Sequence, residues 1–176
     1  MAKPKTISPD DAKKTIDRPK FWLSNAKISW AKTTVKRFPS AYKFRVGLEI
    51  AATTGRVEPE GLFIECYFKK SLIHGVPDTL SMTLLVQNSR AFGVDENGPS
   101  EHLNKVGLGQ RYYQQTVGHP HIHLPVNESS YGYAEPLAPQ SLENLWSLFL
   151  EKANIHEAPS LTLPSTGAPD EQMELL

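Results

Sequence analysis

The stretch "YKFRVGLEI", residues 42–50, alternates without a break: Tyr42, Phe44, Val46, Leu48 and Ile50 fall on one side, Lys43, Arg45, Gly47 and Glu49 on the other. A period of two is the pattern of a β-strand with one dry and one wet face. It recurs in "GLFIECYFKK" (61–70) through Leu62, Ile64, Cys66 and Phe68, and in "TLSMTLLVQ" (79–87) through Leu80, Met82, Leu84 and Val86. "AKISWAKTTV" (26–35) is a weaker strand candidate. The connections "TTGRVEPEG" and "LIHGVPD" are short and rich in turn residues, so neighbouring strands are expected to pair antiparallel as a meander.

The one strong helix is "SLENLWSLFLEKANI" (141–155), where Leu142, Leu145, Trp146, Phe149 and Ala153 form a single apolar stripe. Pro139 cannot continue it backwards, Ser141 suits the cap and Glu143 suits the first turn. These elements predict an α+β fold, a mainly antiparallel sheet of about five strands with one C-terminal amphipathic helix packed on it.

At 176 residues the chain is long enough for one domain with a real core. Residues 1–20, with Pro4, Pro9 and Pro19, read as a basic flexible leader holding at most a short helix at "SPDDAKK", capped by Ser8. Residues 21–155 read as the single domain. Residues 156–176, which carry no Lys or Arg, read as an acidic disordered tail. The net charge is zero, yet residues 1–50 carry twelve Lys and Arg against four Asp and Glu, and the remainder seven against fifteen. Such a split can mark a basic leader that meets an acidic or nucleic-acid partner, or lysines that simply solvate an irregular leader and the exposed face of the first strands. No apolar run approaches the roughly 18 residues of a membrane span. The single cysteine, Cys66, cannot build a disulfide framework and reads as a small buried hydrophobe. Together these predict a cytoplasmic protein that does not engage membranes.

"GLGQ" is too short to cradle a phosphate, and "GVDENGPSE" lacks the spacing of a calcium loop. The chemistry is concentrated elsewhere. "QQTVGHPHIHLPV" (114–126) places His119, His121 and His123, half of the chain's six histidines, at every second position. In an extended strand all three share a face with Val117, while Pro120, Ile122 and Leu124 share the other. Pro120 lacks a ladder donor, which predicts an edge strand. Alternate histidines on a straight strand are roughly 6.6 Å apart, so one ion can bridge two of them but not three. A metal site therefore needs a ligand from outside. The irregular stretch "AFGVDENGPSEHLNKVGLGQ" (91–110) offers Asp95, Glu101 and His102, with His102 the best candidate, expected within about 4–5 Å of the His121 ring. The metal set is then His102, His121 and His123, for a divalent ion such as Zn or Mn. Without metal, the row His119, His121 and His123 could act catalytically, one imidazole attacking phosphorus while its neighbours orient it. The competing reading is a solvated strand face without chemistry.

"QTVGHPHIHLP" (115–125) resembles the motif of the histidine-triad nucleotide hydrolases and transferases, His-φ-His-φ-His-φ-φ after Gln-x-Val. That resemblance implies His121 as nucleophile, supported by His119 and His123; Pro120 stands where the family has an aliphatic residue. More broadly, "VDENGPSEHLN", "GHPHIHLPV", "GYAEPL" and "LWSLFLEKANI" resemble a group of small bacterial proteins of unknown function. In that group Gly-Pro-x-x-His-x-Asn, Pro-His-Ile-His and Ala-x-Pro-Leu elements precede a final helix. The likeness implies that His102, Asn104, His121 and His123 form one constellation, in a bacterial or phage protein. The functional expectation is a histidine-cluster site that binds a divalent metal or hydrolyses a small phosphorylated substrate, a phosphoester or nucleotide. The alternative is a non-enzymatic binding or accessory module that recruits a protein or nucleic-acid partner through its sheet edge and charged ends.

Overall fold

The computed structural model describes residues 6–33 and 40–165. In chain order the elements are α1 (Pro9–Asp17), β1 (Lys20–Trp22), β2 (Ala31–Lys32), β3 (Ala41–Ala52), β4 (Gly55–Val57), β5 (Leu62–Lys69) and β6 (Thr79–Val86). They continue with β7 (Ser89–Glu96), β8 (His102–Leu103), β9 (Thr116–Val117), β10 (His121–Val126), β11 (Ser129–Pro136), α2 (Leu142–Lys152) and β12 (Ile155–His156). One ten-stranded sheet runs β11-β10-β7-β6-β5-β3-β1-β12, with β2 and β4 also paired to β3; β8 and β9 form a separate two-stranded sheet. β12 lies parallel to β1, so the large sheet is mixed.

This corrects the expected fold: the sheet is neither five-stranded nor wholly antiparallel, and there are two helices among the described residues. Two physical reasons account for the difference. β1, β2, β4 and β12 are two or three residues long, too short for alternation to declare itself. β7 contains Gly93 and is followed by Gly98 and Pro99, so a central strand reads as the start of a loop.

The three long alternating runs become β3, β5 and β6, paired antiparallel in continuous register from Ala41↔Lys69 to Gly47↔Phe63 and from Leu62↔Val86 to Lys69↔Thr79. Their apolar faces meet α2 through Leu145, Trp146, Phe149 and Ala153, all buried. Trp146 packs edge-on against Trp22 and Phe44 with ring centroids 6.0 and 6.4 Å apart, and Phe149 stacks on Phe92 at 5.8 Å. Each large apolar side chain buried there contributes about 1.5–3 kcal/mol. Cys66 is fully buried among them, and burial pushes its thiol pKa up, away from nucleophilic use.

α1 starts where Ser8 accepts from the Asp11 amide (3.1 Å), with Pro9 in the first turn. Its C-terminal carbonyls are closed by one side chain: Lys20 Nζ donates to the carbonyls of Thr15, Ile16 (3.1 Å) and Arg18 (2.6 Å). Lys20 has no exposed surface, and burial lowers its pKa to about 7. Ala12 joins the core, and Ile7 and Ile16 pack against it. At the other end, Trp146 Nε1 donates to the Pro159 carbonyl (3.0 Å) and Trp30 Nε1 to that of Thr162 (2.6 Å). Of the stretches read as leader and tail, residues 1–5 and 166–176 lie outside the described residues.

β11 ends the sheet, and its outer edge is covered by the excursion between β7 and β10. Asn104, completely buried, does this with one amide: Nδ2 donates to the Ala134 carbonyl (2.8 Å) and the Tyr112 carbonyl (3.0 Å), and Oδ1 accepts from the Ala134 amide (2.8 Å). The side chain thus pairs with Ala134 as another strand would, which leaves no open edge at that position. Asn104→Ala strips both buried backbone groups of Ala134 of their partners. A loss of about 2–4 kcal/mol is expected, read as a lower urea midpoint with the far-UV spectrum retained.

Candidate metal centre

Register, not sequence spacing, assembles the site. Ser81 of β6 pairs with Asp95 of β7, Asp95 pairs with His121 of β10, and His123 pairs with Gly93. Side chains opposite one another in register share a face, and so do positions two apart on one strand. Asp95, His121 and His123 therefore project together, while Ile122 turns into the core. β10 lies between β7 and β11 and is not an edge strand; Pro120 precedes it, so its missing donor falls outside the ladder. Nor is Asp95 in a loop, as the sequence suggested, because β7 extends through Glu96.

The hydrogen bonds decide which imidazole nitrogens are free. His121 Nδ1 donates to the Gly118 carbonyl and His123 Nδ1 to the Tyr131 carbonyl, both at 3.0 Å. A carbonyl only accepts, so both Nδ1 atoms carry a proton, and in the neutral rings both Nε2 atoms carry lone pairs. Those Nε2 atoms face each other at 3.0 Å, and Asp95 Oδ2 lies 3.1 Å from that of His123 and 3.5 Å from that of His121. The other oxygen, Oδ1, accepts from Ser81 Oγ at 2.5 Å, which fixes the carboxylate's aim. Ligand atoms subtending about 90–110° at an ion with bonds of about 2.1 Å are roughly 3.0–3.5 Å apart. Asp95, His121 and His123 thus form a group that could hold a metal ion, with Ser81 and the two carbonyls as the outer shell such ions require.

The Tyr131 carbonyl is available because β11 bulges. Between Val126↔Ser129 and Leu124↔Tyr133, four steps of β11 face two of β10. The extra residues release the Tyr131 carbonyl from the ladder for His123, and the Gly132 carbonyl, on the outer edge like that of Ala134, lies 3.0 Å from His102 Nε2.

His102 lies beside the site rather than in the ligand group. Its ring centroid is 5.8 Å from that of His121 and 5.1 Å from that of His123, and its Nε2 is engaged by Gly132. His119 precedes β10 and is not part of a common strand with His121 and His123; its ring lies 4.1 Å from that of His121, and its Nδ1 donates to the Ser100 carbonyl (2.6 Å). Burial lowers the pKa of both His102 and His119, which favours neutral rings. Val117, expected beside the histidines, pairs instead with His102 in the small sheet. Glu101 is exposed at the cleft's rim, and Asn104 holds the excursion in place without facing the ligand group. Glu135 pairs with Ile122 and accepts from Tyr133 Oη (3.2 Å) on the opposite face. His74 is exposed, and His156 Nε2 meets Asn154 (2.7 Å) far from the site.

The three ligand residues line a cleft of about 690 Å³ that also takes in Arg90, Ser129 and Tyr131. Tyr131 stacks on His123, centroids 4.2 Å apart and planes 10° apart. Gly93 makes this possible, since a Cβ there would stand 2.3 Å from Tyr131 Oη. Burial raises the Tyr131 pKa, so the phenol stays protonated. Sequence reasoning did not reach Ser81, Arg90 or the stacking role of Tyr131. The polar positions of the β6 alternation were the only signal for Ser81, and bulges hid the other two.

Comparison of the chain with family models, curated proteins and solved structures finds no match in any of the three. Among the described residues no helix is long and apolar enough to cross a membrane.

Two outcomes follow from this geometry. Burial alone would raise the Asp95 carboxyl, but the hydrogen bond from Ser81 and the attraction of His121 and His123 whenever either ring carries a proton on Nε2 outweigh it and hold the pKa below the usual carboxylate range. A depressed carboxylate adds stability that is complete above its unfolded pKa of about 3.9 and is lost as pH falls towards the folded value. The urea midpoint of the wild type should therefore drop more steeply below about pH 5 than that of Asp95→Asn. Gly93→Ala should cost about 1–3 kcal/mol by forcing Tyr131 off His123, seen as a lower midpoint and an altered tyrosine near-UV band.

Proposed function

We propose that this chain is a metal-dependent hydrolase that holds one divalent ion, Zn or Mn, between Asp95, His121 and His123 and acts on a phosphoester. One observation carries the reading: two imidazole Nε2 atoms and a carboxylate oxygen converge within 3.0–3.5 Å, and with neutral rings no donor stands among them. Such a cluster needs a positive charge at its centre, a proton or a metal ion, and its spacing suits the ion. Imidazole favours Zn, and a carboxylate also suits Mn. Three protein ligands on one side leave coordination positions towards the cleft, the hallmark of a catalytic rather than a structural site. An ion held there polarises a phosphoryl oxygen and lowers the pKa of a coordinated water. His102 and His119, flanking the ligands, are placed to exchange protons with such a water. With His121 only 2% exposed, a ligand role for it is favoured over direct attack on phosphorus.

Titration of untagged, metal-stripped protein with Zn and Mn should give one site per chain. His121→Ala, His123→Ala and Asp95→Asn should each weaken it by more than the roughly 10–100-fold that loss of an outer-shell partner costs, and should remove metal-stimulated cleavage of a chromogenic phosphoester. Binding that is absent, or indifferent to all three substitutions, refutes the reading.

A further inference from the structure

The register of β6 with β7 slips once. Ser81, Thr83 and Leu84 pair with Asp95, Gly93 and Phe92, but the next residue, Leu85, pairs with Arg90, so Ala91 is an extra residue in β7. Without that bulge Arg90 would alternate onto the face of Phe92, inside the core. With it, Arg90 shares the face of Gly93 and Asp95, and a bulge that re-aims one side chain into a cleft is a recurrent feature of binding sites. The guanidinium lies over the Tyr131 ring, 4.4 Å from its centroid, and that ring stacks in turn on His123 at 4.2 Å. Arg90 is the one Lys or Arg among the described residues lining the cleft, and no carboxylate pairs with it among the described residues.

The hairpin turns β6–β7 and β10–β11 lie at this same end of the sheet, since β7 and β10 are antiparallel neighbours. The second turn contributes Ser129, whose Oγ accepts from the amides of Tyr131 (3.3 Å) and Gly132 (2.8 Å). With both acceptor sites used, its hydroxyl hydrogen is left to donate.

We propose that Arg90, with Ser129, forms a subsite for a phosphate group of the substrate, one ring-stack away from the metal centre along the Tyr131 face. The preferred substrate is then a small molecule with two anionic ends, the reacting phosphoester at the Asp95–His121–His123 end and a second phosphate at Arg90. An arginine fork matches phosphate geometry, stacking on Tyr131 restricts the fork before binding, and the cleft volume is that of a small-molecule site. The proposal rests on the metal reading for the reacting end alone; the Arg90 subsite stands on its own geometry.

The test titrates inorganic phosphate into untagged full-length protein, metal-stripped and again with one equivalent of Zn, following amide shifts of Ser129 and Tyr131. Saturable shifts are expected in both forms. Arg90→Ala should weaken them roughly tenfold or more in both, with Zn affinity unchanged and Arg90→Lys intermediate. Phosphate binding that appears only with Zn, that survives Arg90→Ala at full strength, or that is absent overturns the subsite. Failure of Zn to bind while Arg90-dependent phosphate shifts persist overturns the metal reading and leaves the subsite standing.

Discussion

With both rings neutral, two imidazole nitrogens 3.0 Å apart present lone pairs to each other and repel, and a carboxylate oxygen 3.1 and 3.5 Å away adds a formal negative charge. Nearly all of this is out of water, with His121 and His123 2% and 6% exposed, so the repulsion is poorly screened. The arrangement persists only because the surroundings over-determine it. Each Nδ1 is tied to a backbone carbonyl, Asp95 Oδ1 is tied to Ser81, and the His123 ring is pressed flat by Tyr131. A divalent cation draws all three ligand atoms to itself, whereas one proton bridges the two nitrogens as an N–H···N hydrogen bond and brings half the charge. With neutral rings the folded chain thus carries an electrostatic cost at this point that a cation would offset, which is why this group could hold a metal ion.

The two register slips give this centre its form. A regular β11 would spend the Tyr131 carbonyl on strand pairing, and His123 would lose the acceptor that orients it. A regular β7 would send Arg90 inward beside Phe92. The opposite face of the same strands shows no such irregularity: Phe92, Val94 and Ile122 pack into one core with α2. Irregularity is confined to the wet face and to the ends of strands, where a displaced residue costs little apolar contact.

Local periodicity was legible and long-range register was not. The alternation through Tyr42–Ile50 and the stripe Leu145–Trp146–Phe149 involve residues a few positions apart, whose faces follow from chain geometry alone. β7 was missed because Gly93 resembles a loop residue, whereas its role is to let Tyr131 cross the strand. The histidines were visible as a cluster, and Asp95 was visible as one of three outside candidates. Nothing in the spacing reveals that Asp95 sits directly opposite His121, because that follows from the pairing of two strands separated by a 24-residue excursion (97–120). His119 was over-read for the opposite reason: alternation puts it with its neighbours on a strand, but the strand begins only at His121.

The excursion itself connects stability to the site. It leaves the sheet after Glu96, contributes His102, docks on the outer edge of β11 through Asn104, and returns as Gly118, whose carbonyl fixes His121. The segment that closes the open edge is therefore the one that builds one wall of the cleft. A β11 edge left unpaired would be a template for aggregation, and a loop held only at its two ends would not hold an imidazole to a few tenths of an ångström. Because Asn104 engages Ala134, the residue paired with His123, edge protection and alignment of the ligand strand rest on the same hydrogen bonds. Loosening the edge should then loosen the metal centre before the core yields, since α2 and the β3–β5–β6 face share none of those contacts.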